Sequence, residues 1–81
     1  MGESQESRDD KVRRVALDTA RTHTGDMGLT IVDVVDSDTA MAIGSALAEE
    51  FEVEILGDSS QEMGGSPIDS WVDYMNTLLE T

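Results

Sequence analysis

The chain has 81 residues, and its 18 acidic and five basic side chains give a formal net charge of −13 at neutral pH. This charge repels nucleic acid and anionic membrane surfaces and attracts basic protein surfaces. Cysteine is absent and no apolar run reaches the roughly 18 residues that span a membrane, so disulfides, thiolate metal sites and membrane spans are excluded. We therefore expect one small, soluble, monomeric and cytoplasmic domain that binds neither nucleic acid nor a membrane.

The first predicted element is a helix over residues 9–23. The residues before it, 1–8 ("MGESQESR"), are polar and aperiodic, which predicts a disordered lead. Asp9 and Asp10 then favour the positive end of a helix dipole. Apolar residues follow at helical spacing, namely Val12, Val15, Ala16 and Ala20. The breakers "TGDMG", residues 24–28, are expected to end this helix.

A long connection follows, and its segment "LTIVDVV", residues 29–35, has an ambiguous pattern. Its β-branched residues are typical of a strand. However, the chain offers no second convincing strand with which this segment would pair. We therefore interpret the segment as an extended loop that places its apolar side chains in a helical core.

The second predicted helix covers residues 37–51. One face collects the apolar positions, namely Ala40, Met41, Ile43, Gly44, Leu47, Ala48 and Phe51. The same spacing places another set on the solvent side, namely Asp38, Ala42, Ser45 and Glu49. Ser37 stands at the start of this helix between two aspartates. Two interpretations of Ser37 are open at this point, an ordinary helix N-cap and an attachment point for another group.

Two further helical segments are predicted towards the end of the chain. Residues 58–63 favour one short helical turn, which a glycine pair ends. In the last helix Ser66 is the expected N-cap, Pro67 suits the first helical position, and Asp69 stands at the capping-box position. Apolar residues then recur with helical period, namely Ile68, Trp71, Val72, Met75, Leu78 and Leu79. The predicted fold is a small all-α bundle of three to four helices over residues 9–81, with a long first loop.

The second and last helices together resemble the acyl carrier protein family, which includes peptidyl carrier domains. That family has Asp-Ser-Leu at the start of its second helix and closes the helix on an acidic pair, a phenylalanine and then an isoleucine. Here "DSD", residues 36–38, precedes "TAMAIGSALAEEFEVEI", and the interval from Ser37 to Phe51 is similar to the family's own. The segment "VDYM", residues 72–75, is similar to the aromatic context of the family's last helix. Two departures are Asp38, where the family has leucine, and the valines of "DVVDS", where the family has glycine.

The resemblance implies a non-catalytic carrier with a covalent arm. In the family, a separate phosphopantetheinyl transferase attaches 4′-phosphopantetheine from coenzyme A to the serine, and the thiol of the arm holds acyl, ketide or aminoacyl groups as thioesters. By resemblance, Ser37 is the attachment site and Asp36 its acidic neighbour. The implied partners are this transferase and the acyl-transferring or condensing enzymes of fatty-acid or polyketide-type biosynthesis. Their basic docking surfaces would contact the solvent side of the second helix at Asp38, Ala42, Ser45 and Glu49.

The same residues allow other interpretations. One is a helical interaction module that has the carrier fold without the arm, and both Asp38 and the missing glycine before Ser37 favour it. A calcium loop of the EF-hand type needs oxygen ligands at fixed positions, but counting from Asp36 the fifth position is Ala40, so we predict no metal site. A hydrolase needs a base beside Ser37, and His23, the only histidine of the sequence, has no motif around it. We therefore expect no enzyme activity.

Overall fold

Four helices lie within residues 7–80, the range of the chain that the computed structural model describes. They are α1 (Arg8–Thr24), α2 (Ser37–Phe51), α3 (Gly57–Glu62) and α4 (Ser70–Leu79). Over that range the β pairing is limited to one isolated antiparallel bridge, between Val34 and Pro67. The prediction of a small all-α fold with a long first loop is therefore confirmed.

Both ends of α1 are capped by hydrogen bonds. The Ser7 side chain accepts a backbone N–H from three residues on, at 3.2 Å. Gly25 adopts a left-handed backbone, with φ of 77°, and its N–H donates to a carbonyl of the last turn at 2.8 Å. Ser7 and Arg8, which we assigned to the disordered lead, therefore belong to the capped start of the helix. Residues 1–6 of that predicted lead lie outside the described residues.

The core of the bundle lies between α1, α2 and α4. α1 packs against both α2 and α4, and α2 packs against α3. The Trp71 ring meets the Tyr74 ring edge to face, with 5.3 Å between the ring centroids. Burial of apolar surface in this core is the main favourable term in folding. The buried apolar side chains are Val12, Ala16, Ala20, Val35, Ala40, Ile43, Leu47, Ile68, Trp71, Val72 and Met75.

None of the described helices combines the length and the apolar character that a membrane crossing requires. α1, the longest of them, has 17 residues and carries acidic and basic side chains in its first and last turns. α2 and α4 have 15 and 10 residues. A helix needs about 20 predominantly apolar residues to cross the hydrocarbon core of a bilayer.

The long loop, residues 25–36, is held mainly through its backbone. The N–H groups of residues 65, 68 and 69 donate to loop carbonyls at 2.8, 3.0 and 2.8 Å. Val35 is buried and Leu29 packs against the core, as predicted. Val32 and Val34, however, are 71% and 56% exposed. The prediction that the loop places its apolar side chains in the core is wrong for these two, because pairing of the loop backbone with residues 65–69 turns them outwards.

α4 begins at Ser70, later than predicted, because the residues before it are held by other partners. Asp69 is the N-cap by position, but its carboxylate accepts a hydrogen bond from Arg13 Nε at 2.9 Å and makes no cap bond to a helix N–H. Pro67 lies in the bridge to the long loop. Its carbonyl accepts the Ser70 N–H at 2.9 Å, which closes a tight turn. The prediction of Ser66 as N-cap, Pro67 in the first helical position and Asp69 in a capping box is therefore wrong.

Candidate functional site

Asp36 is the N-cap of α2. Its carboxylate accepts the backbone N–H of Thr39 at 2.9 Å, and its φ of −81° and ψ of 177° are the extended values of a cap residue. Hydrogen bonds from the Thr39 backbone and side chain hold the pKa of the Asp36 carboxyl below its usual value, and the charge of His23 adds to this effect. The interpretation of Ser37 as the N-cap is therefore wrong. Ser37 is the first residue inside the helix.

The Ser37 side chain is exposed at the beginning of α2. Within residues 7–80 its hydroxyl makes no hydrogen bond to another protein group. The backbone N–H groups of Ser37 and Asp38 have no acceptor in that range either, as is usual for the first residues of a helix. These N–H groups carry the positive end of the helix dipole. The hydroxyl therefore stands beside unpaired donors, with the carboxylates of Asp36 and Asp38 on either side.

A second element borders Ser37, the turn formed by Gly64 and Gly65 after α3. A methyl group at position 64 would lie 2.7 Å from both Cα and Oγ of Ser37 and 2.8 Å from its backbone nitrogen. The Gly65 N–H donates to the Val35 carbonyl at 2.8 Å, which fixes the turn beside the start of α2. The sequence pattern marked these glycines only as helix breakers. The close approach of Gly64 to Ser37 joins distant parts of the chain, so no local sequence pattern could indicate it.

The solvent side of α2 is acidic and carries one exposed methionine. Asp38, Ser45 and Glu49 are exposed as predicted, and Ala42 is half-buried. Met41 was predicted in the core but is 43% exposed, on the same side as Asp38 and Ser45. Thr39 is buried instead. The buried stripe is therefore rotated towards Thr39, because α1 and α3 meet α2 on that side.

The Ser37 hydroxyl has no activating base among the described residues. A nucleophilic serine needs a base within hydrogen-bond distance, but within residues 7–80 no side chain hydrogen-bonds to Ser37. His23 is exposed in the last turn of α1. Over the same range no three acidic or histidine side chains are grouped so that they could hold a metal ion. The arrangement therefore offers the exposed hydroxyl of Ser37 as a group that another enzyme could modify, beside the unpaired N–H groups at the start of α2.

Two surface cavities lie elsewhere on the molecule. One, of about 230 Å³, is lined by Val32, Pro67, Asp69, Ser70 and Asp73. The other, of about 300 Å³, is lined by Arg14, Leu17, Asp18 and Arg21. Ser37 lines neither cavity, so both are separate from the site at the start of α2.

Comparison with known proteins adds no relative to this description. No family model matches the chain, and neither the curated proteins nor the solved structures include a match.

Proposed function

We propose that this protein is an acyl carrier protein and that Ser37 carries its 4′-phosphopantetheine arm. The observation that carries the proposal is the placement of the Ser37 hydroxyl. It is exposed in the first turn of α2, and Asp36 rather than Ser37 accepts the capping hydrogen bond. The hydroxyl is therefore available for a covalent bond without loss of the helix cap.

The proposed modification is one group transfer, performed by a separate transferase. The Ser37 oxygen attacks the phosphorus of coenzyme A that bears the pantetheine chain, and the bond from this phosphorus to the adenosine bisphosphate breaks. The hydroxyl proton passes to a base of the transferase, and adenosine 3′,5′-bisphosphate leaves with the electron pair. Ser37 then holds a phosphodiester whose pantetheine thiol can carry an acyl or ketide group as a thioester.

The start of α2 suits such a phosphodiester. Helix N-termini bind phosphate groups because their first N–H groups are unpaired and lie at the positive end of the dipole. The N–H groups of Ser37 and Asp38 are of this kind. The Asp36 carboxylate is occupied by the Thr39 N–H. Asp38 adds a negative charge beside the attachment point, which favours basic or metal-containing transferase surfaces over neutral ones.

The partners we propose are enzymes with basic docking surfaces, which act on the tethered cargo or attach the arm. The exposed acids Asp38 and Glu49 lie along one side of α2, with Ser45 and the half-buried Ala42 beside them. Met41 is exposed on the same side and offers an apolar contact. The net charge of −13 steers association with basic surfaces. The proposal includes a monomeric carrier in the cytoplasm, with which the absence of cysteine agrees.

Treatment of the purified protein with coenzyme A and a broad-specificity phosphopantetheinyl transferase tests this function. Intact mass spectrometry should show the gain of one phosphopantetheine in the wild type and no gain in Ser37→Ala. Ser45→Ala is the matched control, because Ser45 is also an exposed serine of α2. This control should gain the same mass as the wild type.

A wild-type protein that stays unmodified while a known carrier is modified in the same mixture would contradict the proposal. In that case the second function, a helical interaction module without the arm, is favoured by the charge of Asp38 and by the exposed Met41 on one side of α2. Loss of partner binding in Met41→Ala, with an unchanged far-ultraviolet circular dichroism spectrum, would support that function.

A further inference from the structure

The turn at Gly64 and Gly65 lies directly against the attachment point. The space that a side chain at position 64 would fill is bordered by Cα, Oγ and the backbone nitrogen of Ser37, at 2.7, 2.7 and 2.8 Å. All three distances are shorter than a carbon atom can occupy without displacement of its neighbours. The place of a side chain at position 64 is therefore already filled by Ser37 itself, and the turn can lie this close to Ser37 only because residue 64 is glycine.

Neither side of this contact can move away cheaply. Two of the three bordering atoms of Ser37 belong to the backbone of α2, so no side-chain rotation would relieve a clash. The turn is anchored as well, since the Gly64 N–H donates to the Gln61 carbonyl at 3.0 Å and the Gly65 N–H donates to the Val35 carbonyl at 2.8 Å. A side chain at position 64 would therefore cover Ser37 or force the turn away from it.

We propose that Gly64 is a positioning residue that controls access to the hydroxyl of Ser37. Because residue 64 has no side chain, the turn lies against Ser37 without a side chain placed over its Oγ or its backbone N–H. This inference rests on the proposed function of Ser37 as an attachment point. Its test measures access to position 37 without a transferase, so that the two proposals can fail separately.

A cysteine at position 37 makes the access measurable, because the natural sequence contains no other cysteine. In Ser37→Cys the thiolate attacks the carbon of iodoacetamide that bears iodine, the carbon–iodine bond breaks, iodide leaves, and the thiol proton goes to the buffer. The alkylation rate, followed by intact mass, reports how freely a small molecule reaches position 37. We expect at least about a tenfold slower reaction when Gly64→Ala is added, which corresponds to about 1.4 kcal/mol of additional barrier.

Gly57→Ala, added to the same Ser37→Cys chain, is the matched control. Gly57 also lies on the α3 side of the molecule, but a methyl group there would meet no atom within 4 Å. We expect this variant to react at the rate of Ser37→Cys alone. A purely structural role of Gly64 would act in the opposite direction, since loosening of the turn exposes the thiol and accelerates alkylation. An equal or faster rate in a folded Gly64→Ala variant would overturn the inference.

A second measurement needs no change at position 64 and decides the matter if Gly64→Ala does not fold. The acetamide group on alkylated Ser37→Cys should shift the backbone amide signals of Gly64 and Gly65 in a nitrogen–proton correlation spectrum. The signal of Gly57 should stay in place. Unmoved Gly64 and Gly65 signals would overturn the inference. If the wild type takes no arm but the alkylation rate depends on residue 64, the carrier function fails while the control of access by Gly64 stands.

Discussion

The middle of α2 and its first turn are held in place by different kinds of contact. In the middle, Ile43 and Leu47 are fully buried, and Gly44 is so close to α3 and α4 that a methyl group there would clash with the Ser60 side chain and lie 3.2 Å from the Trp71 ring. At the start of α2, Ser37 and Asp38 are exposed, and the Asp36 cap and the neighbouring glycine turn lie beside them. Apolar packing holds the middle of the helix, whereas its exposed start is held by the cap bond and by the adjoining turn.

Because of this difference, the stability of the fold and the accessibility of the Ser37 hydroxyl should depend on different residues. Substitutions in the middle of α2 should change the free energy of unfolding, because they alter buried apolar contacts. Substitution of the exposed Ser37 should remove the attachment point, with only a small effect on the free energy of unfolding.

Trp71→Ala should have the largest effect. Trp71 is 1% exposed, and truncation of a buried aromatic side chain costs about 3–5 kcal/mol. A small domain has only about 5–15 kcal/mol of stability in total, so the variant should lose much of its resistance to urea, as followed by circular dichroism. Val32→Ala is the control, since an exposed side chain changes stability by less than about 0.5 kcal/mol. Equal urea midpoints for Trp71→Ala and Val32→Ala would contradict the assignment of Trp71 to the core.

Gly44→Ala should have an intermediate effect. The added methyl group would overlap the Ser60 side chain, and overpacking of this kind costs about 1–3 kcal/mol. The higher helix propensity of alanine offsets part of this cost. The double variant Gly44→Ala with Ser60→Gly should recover part of the loss in urea unfolding. Strictly additive effects of the two changes would show that these positions do not share space.

Asp36→Ala should lower the melting temperature by a few degrees near neutral pH, because the Thr39 N–H loses its acceptor. The pKa of Asp36 is lowered in the folded state. Its stabilising contribution is therefore complete above the usual aspartate pKa of about 3.9 and disappears as the pH falls through the lower folded value.

The melting temperatures of the wild type and Asp36→Ala should accordingly converge in acid. Asp38→Ala serves as control, because Asp38 is exposed and accepts no cap bond. If the melting temperatures of the wild type and Asp36→Ala still differ by the same amount at the lowest pH, the capping role of Asp36 is contradicted.

Ser37→Ala should have the smallest effect on stability, within about 0.5 kcal/mol. The serine is exposed, and its hydroxyl has no hydrogen-bond partner within residues 7–80. Thermal unfolding of the wild type and Ser37→Ala under identical conditions measures this difference in stability directly. A loss of several degrees would show that Ser37 supports the fold, and the separation between stability and access would not hold.

Much of the fold could be predicted because helical spacing of apolar residues is a local signal. The predicted bounds of α2, residues 37–51, agree with the observed helix Ser37–Phe51. The start of α4 could not be predicted in this way, because the Asp69 carboxylate is taken by Arg13, which lies 56 positions away in the chain. Met41 was wrongly predicted in the core for a similar reason. Which face of α2 is buried depends on where α1 and α3 pack against it, and this is not a local property of the sequence.

The role of Ser37 as an attachment point stays a prediction. Ser37 was singled out from its position between two aspartates, but serine and aspartate are both good N-caps and the sequence does not distinguish them. The structure assigns the cap to Asp36 through its bond to Thr39. Gly64 was missed, because its contact with Ser37 depends on how α3 packs against α2.

The most direct test of the central claim is the intact mass of this protein purified from its own cells, with the modified peptide mapped. The carrier function predicts a protein heavier by one phosphopantetheine, alone or with an acyl group, and places the addition on Ser37. A protein that has the mass of the bare chain throughout growth, or one that carries the addition on another residue, would contradict it.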